Sequence, residues 1–188
     1  MRSIGSVIGW LWLAFLLYWY AMAFMAKRAK QKESYASRLF RILVIVVAFE
    51  FLFGDWRLGP LDRRFLPASF SIAVAGVVLT VLGMSLAIWA RVYLAGNWSG
   101  TVTLKKGHEL IRTGPYARIR HPIYTGFQLA LTGTALVIGQ WRAIVALAIV
   151  LATHFFKARK EEAWLAREFG PAFDEHRSRT GMFLPRLS

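Results

Sequence analysis

Cysteine is absent from the 188 residues. That excludes a disulfide scaffold, Cys-ligated zinc, iron–sulfur clusters and a cysteine nucleophile, and it leaves the redox compartment open. Acidic residues are scarce, 10 Asp and Glu against 24 Lys and Arg, and charged residues of both signs make up only 18%. A soluble domain carries about a quarter. The hydrophobic share is 56%, with 8 Trp, 14 Phe and 6 Tyr, which excludes intrinsic disorder. Also missing are a Gly-rich phosphate loop, a G-x-S-x-G turn and an H-E-x-x-H helix. His108 and His121 stand thirteen apart, which is no recognised metal spacing, so no metal is expected.

What is present is apolar and basic. A net charge of +14 would suit nucleic acid if the cations formed one surface stripe. They fall instead in clusters between long apolar runs, the pattern of the positive-inside rule. No nucleic-acid partner is expected, and membrane lipid is.

The first run, Ile4 to Met25, is uncharged for 22 residues, enough to cross a hydrocarbon core of about 30 Å. Ala21-Met22-Ala23 mimics a signal-peptide cleavage site, but the apolar stretch is too long for a signal peptide. The second run, Leu39 to Phe53, is interrupted by Arg41 and Glu50. Glu50 is read as lying near the opposite interface, facing Arg57. Gly54–Pro67 is a loop. The third run, Ala68 to Leu94, carries Gly76 and Gly83 on one face, which permits a close helix neighbour.

Ala95 to Arg120 is the only long polar stretch, and loops of that length are usually functional. In the fourth run, Pro122 to Ile138, proline suits the first helical turn. Gly126, Ala130 and Thr134 form a ridge of small residues. After a turn at Gly139-Gln140-Trp141, one helix is predicted from Arg142 to Glu168, leaving the membrane midway and stopped by Gly170-Pro171.

Nineteen Lys and Arg lie on the side of the first and third connections and the C-terminal part, and five on the other side. The expectation is an all-α integral membrane protein with about five transmembrane helices, N-terminus outside and C-terminus cytoplasmic. It forms one membrane domain, 1–188, with N-terminal spans in 1–67 and a core in 68–188.

The long loop and the tail hold nearly all candidate reactive groups. At about 100° per residue, His154, Lys157, Glu161, Leu165 and Glu168 share one face of the last long helix. That phase turns Arg159 and Glu162 elsewhere. A cofactor pocket is expected where this face meets the loop. Plain structural roles are open too: His121 could cap the fourth helix, Tyr116 and Tyr124 could anchor at the interface, and Glu161 could pair with Lys157.

Taken together, Gly107-His108-Glu109-Leu110-Ile111-Arg112-Thr113-Gly114-Pro115-Tyr116 and Arg120-His121-Pro122-Ile123-Tyr124-Thr125-Gly126 resemble the signature of isoprenylcysteine carboxyl methyltransferases and related membrane methyltransferases. Glu161-Glu162, Phe169-Gly170 and Leu184-Pro185 resemble its end, so the likeness covers about residues 90–188. The resemblance implies S-adenosylmethionine as cofactor. His108, Leu110, Ile111, Tyr116, His121, Pro122 and Tyr124 would line its site, and periodicity selects Glu161 as the tail carboxylate. The family's substrate-binding Arg falls at Lys157 here, with Arg159 nearby, so His121, Lys157 and Arg159 are the catalytic candidates. The implied reaction is carboxyl O-methylation of an isoprenylcysteine-type acid, either a lipid-like small molecule or a lipidated substrate. Alternatives are N-methylation of a phospholipid amine, S-methylation of a thiol, a sterol-type reductase, and a non-enzymatic basic membrane protein.

Overall fold

The structure is a computed structural model that describes residues 2–23, 29–32, 34–94, 103–105 and 110–186. Among the described residues, α1 (Arg2–Ala23), α2 (Tyr35–Phe53), α3 (Phe70–Leu94), α4 (Pro122–Ile138) and α5 (Trp141–Phe169) follow the five apolar runs, and a polar helix, α6 (Pro171–Arg179), comes after them. Two short strands, β1 (Ala29–Lys32) and β2 (Thr103–Lys105), pair antiparallel. This pair departs from the all-α expectation. It puts the polar segments after α1 and after α3 at the same end of the bundle, where their backbone groups satisfy one another.

The helix boundaries follow local chemistry. Ser34 caps α2 by accepting from the Ser37 N–H at 3.3 Å. Pro122 opens α4 at its first turn, and Gly139, at φ 64°, ends it. That left-handed conformation costs glycine little. Gly170, at φ 50°, ends α5 as the Gly-Pro pair predicts. Pro171 then starts α6, which the sequence reading did not anticipate: a proline that stops one helix is also well placed at the start of the next.

α3 and α4 pack closely because small residues face each other. A Cβ added at Gly83 would fall 2.6 Å from the Gly126 carbonyl oxygen, and one added at Gly76 would fall 2.6 Å from that of Gly133. Thr80 Oγ1 donates to the carbonyls of Gly76 (2.9 Å) and Ala130 (3.2 Å), so its hydroxyl is satisfied inside the contact. α1 lays Ile8, Trp12 and Phe15 on this pair, and Trp12 Nε1 donates to Thr134 Oγ1 at 2.9 Å. The α2–α5 contact completes the bundle through Ala48, Leu52, Ala143 and Ala146.

Among the described residues three helices are long and apolar enough to cross a membrane: α1 over Gly5–Met22, α3 and α5. α4 is apolar but 17 residues long, and α2 carries Arg38, Arg41 and Glu50. Glu50 lies in the last turn of α2. It accepts a hydrogen bond at 3.0 Å from Trp56 Nε1, so its partner is Trp56 rather than the expected Arg57.

Candidate active site

The N-terminus of α4, the C-terminal half of α5 and the chain after α6 meet at one cluster. Backbone bonds hold the Arg-His-Pro segment there. Arg120 N–H donates to Gly181 O (2.9 Å), His121 N–H to Met182 O (3.0 Å), and Gly181 N–H to Arg118 O (3.2 Å). Thr125 Oγ1 adds a bond to Phe183 O at 2.7 Å. The segment 181–183 is therefore a strap across the start of α4.

His121 occupies the cap position of α4, yet its side chain makes no cap hydrogen bond. Instead its ring lies between two carboxylates, Nε2 3.2 Å from Glu162 Oε1 and Nδ1 3.6 Å from Glu161 Oε2. The ring is 7% exposed. Glu162 is held a second time, by Arg120 Nε at 2.7 Å. Arg120 also donates to the Thr180 carbonyl and, at 3.3 Å, to that of Arg177. Arg120 and Glu162 thus tie α4, α5 and the post-α6 strap into one body.

The inward position of Glu162 corrects the helix-phase expectation. The buried stripe of α5 runs Ala143, Ala146, Val150, His154, Ala158 and Glu162. Its lower part is centred near Ala158, not on His154, so Glu161 and Glu162 flank the centre from either side. Spacing of i, i+4, i+8 from His154 was the signal available in the sequence. Arg159 lies on the other face, exposed, with its guanidinium carbon 6.0 Å from the Phe155 ring.

Glu161 has a different environment. Tyr124 Oη donates to both its oxygens, at 2.9 and 2.8 Å. Lys157 Nζ stands 3.8 Å from Glu161 Oε1 and 5.2 Å from the Tyr124 ring centroid. The Tyr124 ring is stacked between His121 (5.4 Å, 9°) and His154 (4.7 Å, 18°). Tyr116 is buried in the same cluster with Ile123, Tyr124 and Ala158, and Ile111 packs on its edge. Burial first, and the Glu161 charge second, push the Tyr116 phenol well above its usual range, so it stays neutral. Leu110 is half-buried and Pro122 fully buried. His108 lies outside the described residues. A carboxylate, three stacked rings and an ammonium already seated beside them make a place suited to an organic cation.

Residues 76–167 match the isoprenylcysteine carboxyl methyltransferase (ICMT) family. The match takes in just under half of the chain, which is similar to that family there. The protein-S-isoprenylcysteine O-methyltransferase of Saccharomyces cerevisiae is 31% identical over 164 residues, covering 82% of this chain and 64% of that protein. The nickel-cobalt-cadmium resistance protein NccN of Alcaligenes xylosoxydans xylosoxydans is 30% identical over 155 residues, covering 80% and 64%. The chain therefore spans just under two thirds of either relative. Among the described residues no group of three His, Asp or Glu side chains is placed to hold a metal ion.

The solved structure of a eukaryotic intramembrane Ras methyltransferase, ICMT, aligns with a TM-score of 0.52 at 22% identity, covering 80% of this chain and 51% of that one. The likeness is one of fold. With three apolar helices of spanning length, it supports a multi-pass integral membrane protein.

Proposed function

We propose that this chain is an S-adenosylmethionine-dependent methyltransferase that methylates the carboxylate of a lipid-like acid of the isoprenylcysteine type. The observation that carries the reading is the meeting of Glu161, Glu162, His121 and Tyr124, from two helices, at the polar end of the bundle. The match to the methyltransferase family over residues 76–167 supports the reaction class.

The residues fit the chemistry of that cofactor. S-adenosylmethionine, when bound, supplies an electrophilic methyl group on a cationic sulfur. Glu161 and the Tyr124 ring already accommodate the Lys157 ammonium. A carboxylate beside aromatic faces favours any such cation. Leu110, Ile111, Tyr116 and Pro122 supply the apolar wall, and His108 belongs to the same proposal by its place in the motif. Glu162, fixed by Arg120, holds His121 in orientation. An acceptor carboxylate is already ionised at neutral pH, so the protein's task is chiefly positioning two reactants. A site between helices lets an apolar tail enter from lipid while a polar cofactor enters from water.

Five crossings with the C-terminus in the cytoplasm complete the reading, supported by the charge asymmetry. Reporter fusions after Pro67 and after Ser188 are expected to show opposite sidedness, and equal sidedness would refute it. A second reading keeps the cofactor and changes the acceptor to an amine or thiol. It is favoured by His121, which sits between carboxylates as a group able to take a proton. Purified protein exposed to radiolabelled S-adenosylmethionine and a panel of lipid acids, amines and thiols decides between them. Label in an acid, as a base-labile ester, is the expected result. Label only in an amine or thiol selects the second reading, and no label in any acceptor refutes both.

A further inference from the structure

Glu161 meets Tyr124, His121 and Lys157, and they hold it with unequal firmness. Tyr124 Oη donates to both carboxylate oxygens, at 2.9 and 2.8 Å, from a ring stacked between His121 and His154. His121 Nδ1 stands 3.6 Å from Oε2, and Glu162 holds the other side of that ring. Lys157 Nζ is 3.8 Å from Oε1, beyond hydrogen-bond length. Its charge is attracted to the carboxylate and to the face of the Tyr124 ring, whose centroid is 5.2 Å away. Tyr124 and His121 are fixed by packing and by their partners, whereas Lys157 reaches Glu161 on a flexible four-carbon stem.

Helix stability does not account for the Lys157–Glu161 pair. It is an i,i+4 pair with the cation on the N-terminal side, the weaker of the two orders. Desolvation accounts for it better. The two side chains are 11% and 23% exposed, and a carboxylate so enclosed calls for a counter-charge. Lys157 supplies that charge from within the chain, at the position where a sulfonium would supply it again.

Methyl transfer changes the charge that Glu161 faces. An oxygen–carbon bond forms to the acceptor carboxylate, and the carbon–sulfur bond breaks with its electron pair left on sulfur. The sulfonium becomes a neutral thioether, the acceptor carboxylate becomes a neutral ester, and no proton moves. The methyl donor thus brings Glu161 a cation, and the demethylated product brings none. Two cations drawn to one carboxylate repel each other, while an ammonium and a thioether do not.

Resting on the proposed function, we infer that Lys157 is the exchangeable counter-ion of Glu161: it yields the carboxylate to the sulfonium of the methyl donor and regains it once the methyl group has left. Lys157 thereby sets how strongly the site prefers donor over demethylated product.

The probes are S-adenosylmethionine and S-adenosylhomocysteine, which differ by the methyl group and the charge on sulfur. Both affinities are measured by calorimetry on the full chain in nanodiscs, and the readout is the preference for the first over the second. Lys157→Met keeps an unbranched stem and removes the charge. It should bind S-adenosylmethionine about two- to fivefold more tightly, the worth of one such ion pair, and S-adenosylhomocysteine no more tightly than the wild type does. Lys157→Arg, whose fork grips a carboxylate at two points, should lower the preference, and it carries the test if the Met variant does not fold. A preference that stays at its wild-type value in either variant overturns the inference, because a residue that only fills space or supports the helix moves both affinities together. So does a lower preference in Lys157→Met, which marks the ammonium as a group that helps to hold the donor. Failure of the wild type to bind either compound sinks the proposed function and the inference with it, whereas binding of both with an unmoved preference sinks the inference alone.

Discussion

Consider the exchange of Glu162 for Gln. The carboxylate accepts from Arg120 Nε at 2.7 Å and faces His121 Nε2 at 3.2 Å, with side-chain exposure of 11% for both Glu162 and Arg120. Removing one member of a buried ion pair strands the other, which costs about 3–5 kcal/mol in the worst case. Arg120 keeps the Thr180 and Arg177 carbonyls, and the Gln amide can still accept one bond. A loss of about 2–3 kcal/mol follows. For a chain of this size each kcal/mol is worth about 2–4 °C, so the midpoint should fall by roughly 4–12 °C. Glu161→Gln is the control. Its carboxylate is 23% exposed, and the amide oxygen can keep the Tyr124 bond. The stability cost should stay within about 1 kcal/mol, while affinity for S-adenosylmethionine should fall sharply because the negative charge is gone. Thermal unfolding in detergent, paired with calorimetric titration of the cofactor, reads both quantities. A larger loss of stability from Glu161→Gln than from Glu162→Gln would refute the division of labour between these two neighbours.

The other expectations concern groups outside that pair. His121→Ala should abolish methyl transfer and also lower the melting midpoint, since the ring is buried between both carboxylates; full activity in the variant would remove His121 from the site. His176 is buried in α6, and burial first, then the Arg112 and Arg120 charges, hold its pKa below the ordinary histidine value. The unfolded chain therefore binds this proton more readily. The stabilisation is complete above about pH 6.5 and is lost as pH falls towards the lower folded pKa. Midpoints measured from pH 7.5 down to 5 should fall, and less so in His176→Gln; parallel slopes would show that another group governs. Gly83→Ala should cost about 1–3 kcal/mol, because its Cβ would press on backbone of α4, and an unchanged midpoint would mean the two helices separate freely.

The sequence made the helices legible to different degrees, for physical reasons. α4 is bounded by Pro122 and Gly139 as predicted, and α5 runs one residue beyond each predicted end. Proline and glycine act locally, so their effect can be read without neighbours. The Gly76, Gly83 and Gly126 contact was legible too, because small residues at one-turn spacing have few other uses in a membrane. The β1–β2 pairing was not. It joins residues more than seventy positions apart, and its residues carry no strand periodicity. Glu162 was set aside by a face drawn from His154 through Lys157 and Glu161, whereas the buried stripe runs His154, Ala158, Glu162. The strap at 181–183 carries no pattern, for it is held by main-chain bonds to Arg118, Arg120 and His121.

Two adjacent glutamates reach partners that one could not. Consecutive residues on a helix point about 100° apart, so a single carboxylate at this level of α5 would meet either the Arg120 side or the Tyr124 side, not both. With two, Glu162 is consumed by Arg120 and fixes the ring of His121, while Glu161 keeps its charge directed at Tyr124 and Lys157. A carboxylate that anchors the fold cannot also exchange cations without loosening the corner it holds. With the anchor assigned to Glu162, the proposed function needs only Glu161 to trade its ammonium neighbour for another cation, while the His121-Pro122 corner stays in place.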